Sequence, residues 1–350
     1  MQIFVNPHHA RHAGRHEMFR GRLVPCHEVP DRLQQVQDEL TRRPVGQVLA
    51  PPPVPRQRLE RVHTPRYLDF LQRAWSRWVA LDPANAAVDA LPSVWPVRSL
   101  RHDVEPDNFA AQMGLYSFDA GTPLTAGTWA AAEAGAACAV AAAQAVRQTG
   151  GPRAAMALTR PPGHHAGADF FGGYCFLNNA ALAAQTLIDE GARRVAILDI
   201  DYHHGNGTQS LFEARADVFT ASLHGDPRTE YPFYLGHADE RGRDAGEGFN
   251  LNLPLPVSTG FERWRAALHQ ALEAIARHAP DALVCALGVD TYEGDPISGF
   301  RLASADYLAI GRDIAGAGLP TVFTLEGGYA VAAMGVNVVN VLAGFASASG

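Results

Sequence analysis

What most limits the fold of this chain is a repeated join, an apolar strand that runs straight into a polar loop. The segment Val195–Ile200 is apolar and β-branched, and Asp201-Tyr-His-His-Gly-Asn-Gly207 follows at once. Strands of this kind are buried on both faces, the habit of parallel sheets covered by helices. The join recurs where Ala154–Leu158 leads to Arg160–Ala166, where Ala282–Leu287 leads to Gly288–Thr291, and where Thr321–Leu325 leads to Glu326–Tyr329. Parallel strands carry such loops to one edge of the sheet, where α/β folds bind ligands.

Helical patterns fill the intervals at Asp31–Leu40, Tyr67–Val79, Gly127–Gln148, Asn179–Glu190, Gly207–Glu213, Phe261–His278, Ser304–Ala317 and Val331–Phe345. Further strands are expected at Met1–Asn6 and Val218–Leu223. Strands alternating with helices predict a single α/β domain over residues 1–350, a mostly parallel sheet flanked by helices. Leu81–Thr125 breaks the rhythm with scattered Pro and Gly and weak periodicity. A stretch this long without elements of its own is expected to be functional or an oligomer arm.

Composition narrows the function. A net charge of −7 argues against a nucleic-acid surface and favours cationic ligands. The four cysteines show no CxxC or metal spacing, and Cys138 and Cys285 read as small core residues. The apolar stretch Ala130–Val146 contains Glu133 and Gln144 and reads as a packed helix, not a membrane span. A soluble cytoplasmic protein is expected.

The loops carry the chemistry. Asp201 and His203 share a face of an extended chain, so both can point at one atom. Asp290, after strand Ala282–Leu287, is the natural third ligand, and two oxygens with one nitrogen leave a zinc position open for water. Alternatively Asp290 caps the following turn. His164 and His165 follow the rigid Pro161-Pro-Gly163 and can serve as base for the water and acid for a departing amine. Asp199 lies too early in the strand for a third ligand and suits orienting an imidazole or holding a monovalent cation. Tyr329, after two glycines, suits an oxyanion, while Tyr174 and Tyr231 with Gly173 are candidate channel walls. Ordinary packing is the other reading of all three tyrosines. His204 neighbours a ligand but faces away.

Arg160–Ala166, Phe171–Asn179, Leu198–Gly207, Ser222–His224, Gly288–Pro296 and Leu325–Tyr329 together resemble the arginase/histone-deacetylase superfamily, in particular the bacterial histone-deacetylase-like amidohydrolases and those that act on acetylpolyamines. The resemblance implies zinc on Asp201, His203 and Asp290, with iron(II) as another suitable metal. It implies His165 as general base, His164 as its partner, and Tyr329 polarising the acyl oxygen. It also implies a potassium site at Asp199, Asp201, His203, Ser222 and Leu223, and a second around Phe212, Arg215 and Val218. Asn206 falls where many relatives carry an aspartate facing the second histidine.

Leu81–Thr125 matches an insertion that joins two subunits and narrows the mouth, which implies a homodimer and a small cationic acetylated amine as substrate. Acidic rim residues expected in such enzymes fall on Ala110 and Gly121, leaving Glu105, Asp107 and Asp119 as substitutes. The rival readings are a deacetylase of acetyl-lysine in proteins, a dinuclear arginase-like hydrolase, and a silent module that binds acylated amines.

Overall fold

The computed structural model describes residues 1–97 and 99–348, so Arg98 of the insertion and residues 349–350 lie outside the described residues. The ten strands among the described residues are β1 Gln2–Val5, β2 His16–Phe19, β3 Arg22–Pro25, β4 Gln47–Leu49, β5 Ala154–Leu158, β6 Val195–Asp199, β7 Val218–Gly225, β8 Asn250–Leu255, β9 Ala282–Leu287 and β10 Thr321–Leu325. Eight of them form one sheet in the order β4-β1-β5-β10-β9-β6-β7-β8, and every pairing in it is parallel. The other two, β2 and β3, pair as an antiparallel hairpin.

The helices are α1 Asp31–Arg42, α2 Arg56–Leu59, α3 Pro65–Leu81, α4 Phe109–Leu115, α5 Thr128–Arg147, α6 Asn179–Asp189, α7 Asn206–Phe212, α8 Phe261–His278, α9 Asp306–Ala315 and α10 Val331–Ala348. Side chains alternate between faces along a strand, so each buried strand feeds two cores. In β6, Ala196 and Leu198 join Leu33 of α1, Trp264 of α8, Ile310 of α9 and Val338 of α10. Val195 and Ile197 face the other way, toward Ala142 of α5 and Ala184 of α6. The small alanine faces of α5 and α6 let both helices lie close on the sheet. Although α5 and α10 are long and apolar enough to cross a membrane, most of each is buried inside the fold.

Four strands escape the sequence reading. β4 is short and sits at an edge. β8 alternates Asn with Leu, and asparagine is depleted in strands, so its signal is weak. Here Asn250 and Asn252 are buried because both donate to Gln209 Oε1. The β2–β3 hairpin hides among charged residues. The insertion is more ordered than its periodicity implies. A 3-10 turn spans Pro83–Ala87, α4 lies within it, and Phe109, Met113 and Tyr116 pack against Phe70 and Phe171.

Candidate active site

β5, β10, β9 and β6 are neighbours in the sheet, so the four polar loops meet at one edge. Asp201, His203 and Asp290 each offer a donor atom, and these lie within 4.8 Å of one another. His203 Nδ1 is 3.1 Å from Asp290 Oδ2 and 3.5 Å from Asp201 Oδ1. Backbone amides hold the carboxylates in place. Gly327 N and His203 N donate to Asp201 at 2.7 and 2.9 Å, and Tyr202 N donates to Asp290 at 2.8 Å. A Cβ on Gly327 would sit 2.5 Å from an oxygen of each aspartate, so only glycine closes this cradle.

This set fits a divalent cation. Burial, then the charge of Asp201, pushes the Asp290 carboxyl up to about 8, the mark of two buried carboxylates short of positive charge. Two oxygens, one imidazole nitrogen and an open side match a catalytic zinc. A second donor group, His164, Cys175 and Glu326, is already committed. His164 Nδ1 donates to Asp199, Cys175 Sγ donates to Gly173 O, and Glu326 accepts from Gly163 N and His164 N.

The histidine loop is pinned at several points. Asn6 Nδ2 donates to Arg160 O at 2.6 Å, Thr208 N to His164 O at 3.1 Å, and Asn178 Nδ2 to Ala166 O at 2.9 Å. The two rings lie 4.0 Å apart between centroids. Their surroundings push their titrations in opposite directions. Burial works against charge on His164, but Asp199, 2.9 Å away, and Asp201 raise it to about 10. His165 is pushed well below 6.5 by burial, then by His164 and His203. Its Nδ1 donates to Asn206 Oδ1 at 2.7 Å, which leaves Nε2 as a free base. A neutral imidazole beside a charged one separates base from acid.

A cleft of about 660 Å³ opens above these groups. His165, His203, Gly173, Tyr174, Tyr231 and Tyr329 line it. Gly173 has φ of 54°, and a Cβ there would meet His165 Cδ2 at 2.2 Å. Tyr231 stands edge-on to His165 at 5.1 Å, and Tyr174 packs 5.5 Å from Tyr329. Burial drives the Tyr329 phenol well above 10, so it remains a donor.

Of the expected rim acids, Asp119 reaches the cleft and accepts from Tyr231 Oη and Gly173 N, both at 2.7 Å. Glu105 and Asp107 are not brought to it within the chain. The Glu105 carboxylate accepts instead from Tyr116 Oη at 2.7 Å, and Asp107 is exposed, with its carbonyl bound by Arg77. Asp199 lies opposite Ser222 in the β6–β7 register, with Leu223 beside it. Phe212, Arg215 and Val218 gather at the turn before β7, where Arg215 N donates to Phe212 O at 2.8 Å. His204 is buried and packs on His224 at 4.6 Å between ring centroids.

Several residues that the sequence reading passed over support the site. Asp295 accepts from Tyr329 N at 2.7 Å, and Glu326 accepts from the amides under the histidine pair. Arg32 donates to the carbonyls of Gly328 and Glu326 and lies over the Tyr329 ring at 4.7 Å. Phe118 stacks on Tyr231 at 5.9 Å. Glu326 had a sequence signal in its place at a strand end, and Asp295 in its place within Gly288–Pro296.

A fold with a buried Asp-His-Asp cluster beside a histidine pair and a tyrosine defines a class. The histone deacetylase domain family matches residues 26–345, and the chain belongs to this family of hydrolases that act on amides. Acetylpolyamine amidohydrolase 1 of Pseudomonas aeruginosa is 54% identical across 97% of both chains. The acetylpolyamine amidohydrolase of Mycoplana ramosa is 45% identical, covering 98% of this chain and 99% of that one. The crystal structure of acetylpolyamine aminohydrolase from Burkholderia pseudomallei superposes with a TM-score of 0.94 at 37% identity, over 99% of each chain.

Proposed function

We propose that the chain hydrolyses the N-acetyl amide of acetylated polyamines, releasing acetate and a primary amine. The observation that carries this reading is the convergence of Asp201, His203, Asp290, His164, His165 and Tyr329 on one edge of the sheet. Relatives at 45% and 54% identity that bear the acetylpolyamine name support the substrate class.

Asp201, His203 and Asp290 would hold a single zinc ion, and iron(II) suits the same donors. Bound there, the metal supplies Lewis acidity toward the acyl carbonyl and toward a water. The chain's own groups do the rest. His165 Nε2 takes the proton of the attacking water, with its tautomer set by Asn206. Tyr329 donates to the oxygen on which charge develops. His164, kept charged by Asp199, stabilises that charge, and the histidine pair returns a proton to the departing amine. Gly173, Tyr174 and Tyr231 confine the methylene chain, and Asp119 adds negative charge to the wall.

Potassium belongs to the same reading, at Asp199, Asp201, His203, Ser222 and Leu223, with a second site at Phe212, Arg215 and Val218. The register of Asp199 against Ser222 supports the first. A homodimer joined through residues 81–125 is part of it too. Val94, Val97, Leu100 and Val104 are each more than half exposed along that insertion and support an apolar arm. A monomer by sedimentation would remove the dimer. A cytoplasmic location completes the reading.

Metal removal tests the chemistry. Chelation should abolish acetate release from acetylputrescine, and about one equivalent of zinc per chain should restore it. Full turnover by metal-stripped protein would contradict the reading.

A further inference from the structure

The mouth of the cleft carries a charge that the catalytic reading does not use. Phe19 pairs with Arg22 across the β2–β3 hairpin, which leaves Arg20 and Gly21 as a two-residue turn. Both have positive φ, 48° and 78°. Asn-Gly or Asp-Gly is the usual choice for such a turn, because a larger side chain is crowded in the left-handed region. Arginine is a local cost at this position, and a strained residue kept at the wall of a site points to work for its side chain.

Arg20 lines the same cleft as His165, His203 and Tyr329. It is exposed, its guanidinium lies 5.2 Å from the Phe19 ring centroid, and no ion pair joins it to a carboxylate among the described residues. The wall also carries two carboxylates, Asp119 and Glu230. Asp119 is bound by Tyr231 Oη and Gly173 N, Glu230 is half-buried, and Gly121 is neutral.

We propose that Arg20 sets the charge selectivity of the mouth. It admits acetylated diamines, whose one ammonium rests near Asp119 and Glu230, and disfavours acetylated polyamines with a further ammonium at the mouth. The inference rests on the amidohydrolase reading above and narrows its substrate. Like charges a few ångströms apart at a protein surface repel, and salt weakens the effect.

The test measures kcat/KM of the zinc-loaded wild type, Arg20→Asn and Arg20→Glu. The substrates are acetylputrescine, spermidine acetylated on its four-carbon arm, and 5-acetamidopentanoate, which ends in a carboxylate. Wild type should prefer acetylputrescine. The acetylspermidine to acetylputrescine ratio should rise about threefold in Arg20→Asn and about tenfold in Arg20→Glu. Turnover of 5-acetamidopentanoate should fall in Arg20→Glu. Raising salt should bring the wild-type ratio toward that of Arg20→Asn. Asparagine suits the turn, so that variant should melt no lower than wild type and keep the test valid if the glutamate variant folds poorly. A ratio that moves less than about twofold, or substrates that change together, would overturn the inference while leaving deacetylation intact. A zinc-loaded wild type that cleaves none of the three would overturn both readings.

Discussion

Tyr329 shows how much of the site rests on single placements. Its amide is held by Asp295, its ring lies between Tyr174 and the Arg32 guanidinium, and burial keeps its hydroxyl protonated. Removing one preorganised oxyanion donor costs about 10²–10³ in kcat. Tyr329→Phe should therefore lower kcat by about that factor, while metal analysis finds the zinc content unchanged. Turnover within about twofold of wild type would exclude Tyr329 from the chemistry. The residues proposed to act on the substrate were legible in the sequence because each follows a recognisable strand. No role was read for Asp295, Arg32 and Glu17, which reach the site from later in the loop after β9, from α1 and from β2. Glu17, for example, accepts from Tyr174 Oη at 2.8 Å across 157 residues of chain.

Between elements, a buried ion network ties α1 to two of the site loops. Glu28, just before α1, pairs with Arg32 at 2.7 Å and with Arg160 at 2.8 Å. Burial opposes its charge, but Arg160 and Arg32 hold its carboxyl below the usual range. Arg32 reaches the 326–328 backbone, and Arg160 opens the histidine loop. Removing one partner from such a network leaves buried charge unpaired and costs about 3–5 kcal/mol. Glu28→Gln should thus lower the urea midpoint by an amount equivalent to about 3–5 kcal/mol, with an unchanged m-value. A loss below about 1 kcal/mol would mean the arginines find other partners. The sequence announced β5, β6, β9 and β10, since fully buried strands must be apolar. It concealed β8, whose asparagines are buried through hydrogen bonds that no local pattern reports.

For the molecule as a whole, acid stability follows from histidines buried in neutral form. His63 Nδ1 donates to Gly167 O, and its Nε2 accepts from Asn178 N, so a second ring proton would break that contact. Burial lowers His63 to about 4, despite the carbonyls of Gly167 and Ala168. Burial likewise lowers His12 to about 4, against the pull of Glu28. Between about 6.5 and about 4 the unfolded chain binds these protons and the folded chain does not. The contribution of these two histidines should therefore be level above pH ~7 and fall as pH drops through that window, by at most about 3 kcal/mol for each. His63→Asn should flatten the slope measured by urea unfolding across that range, and an unaltered slope would remove His63 from the account.

The central claim is that this cleft deacetylates small amines. Its most direct test is kcat/KM of the zinc-loaded protein on acetylputrescine beside an acetyl-lysine peptide, read as released acetate. The account predicts at least about a tenfold preference for acetylputrescine, the effect of roughly 1.4 kcal/mol in the transition state. Equal turnover of the peptide, or a preference for it, would contradict that claim.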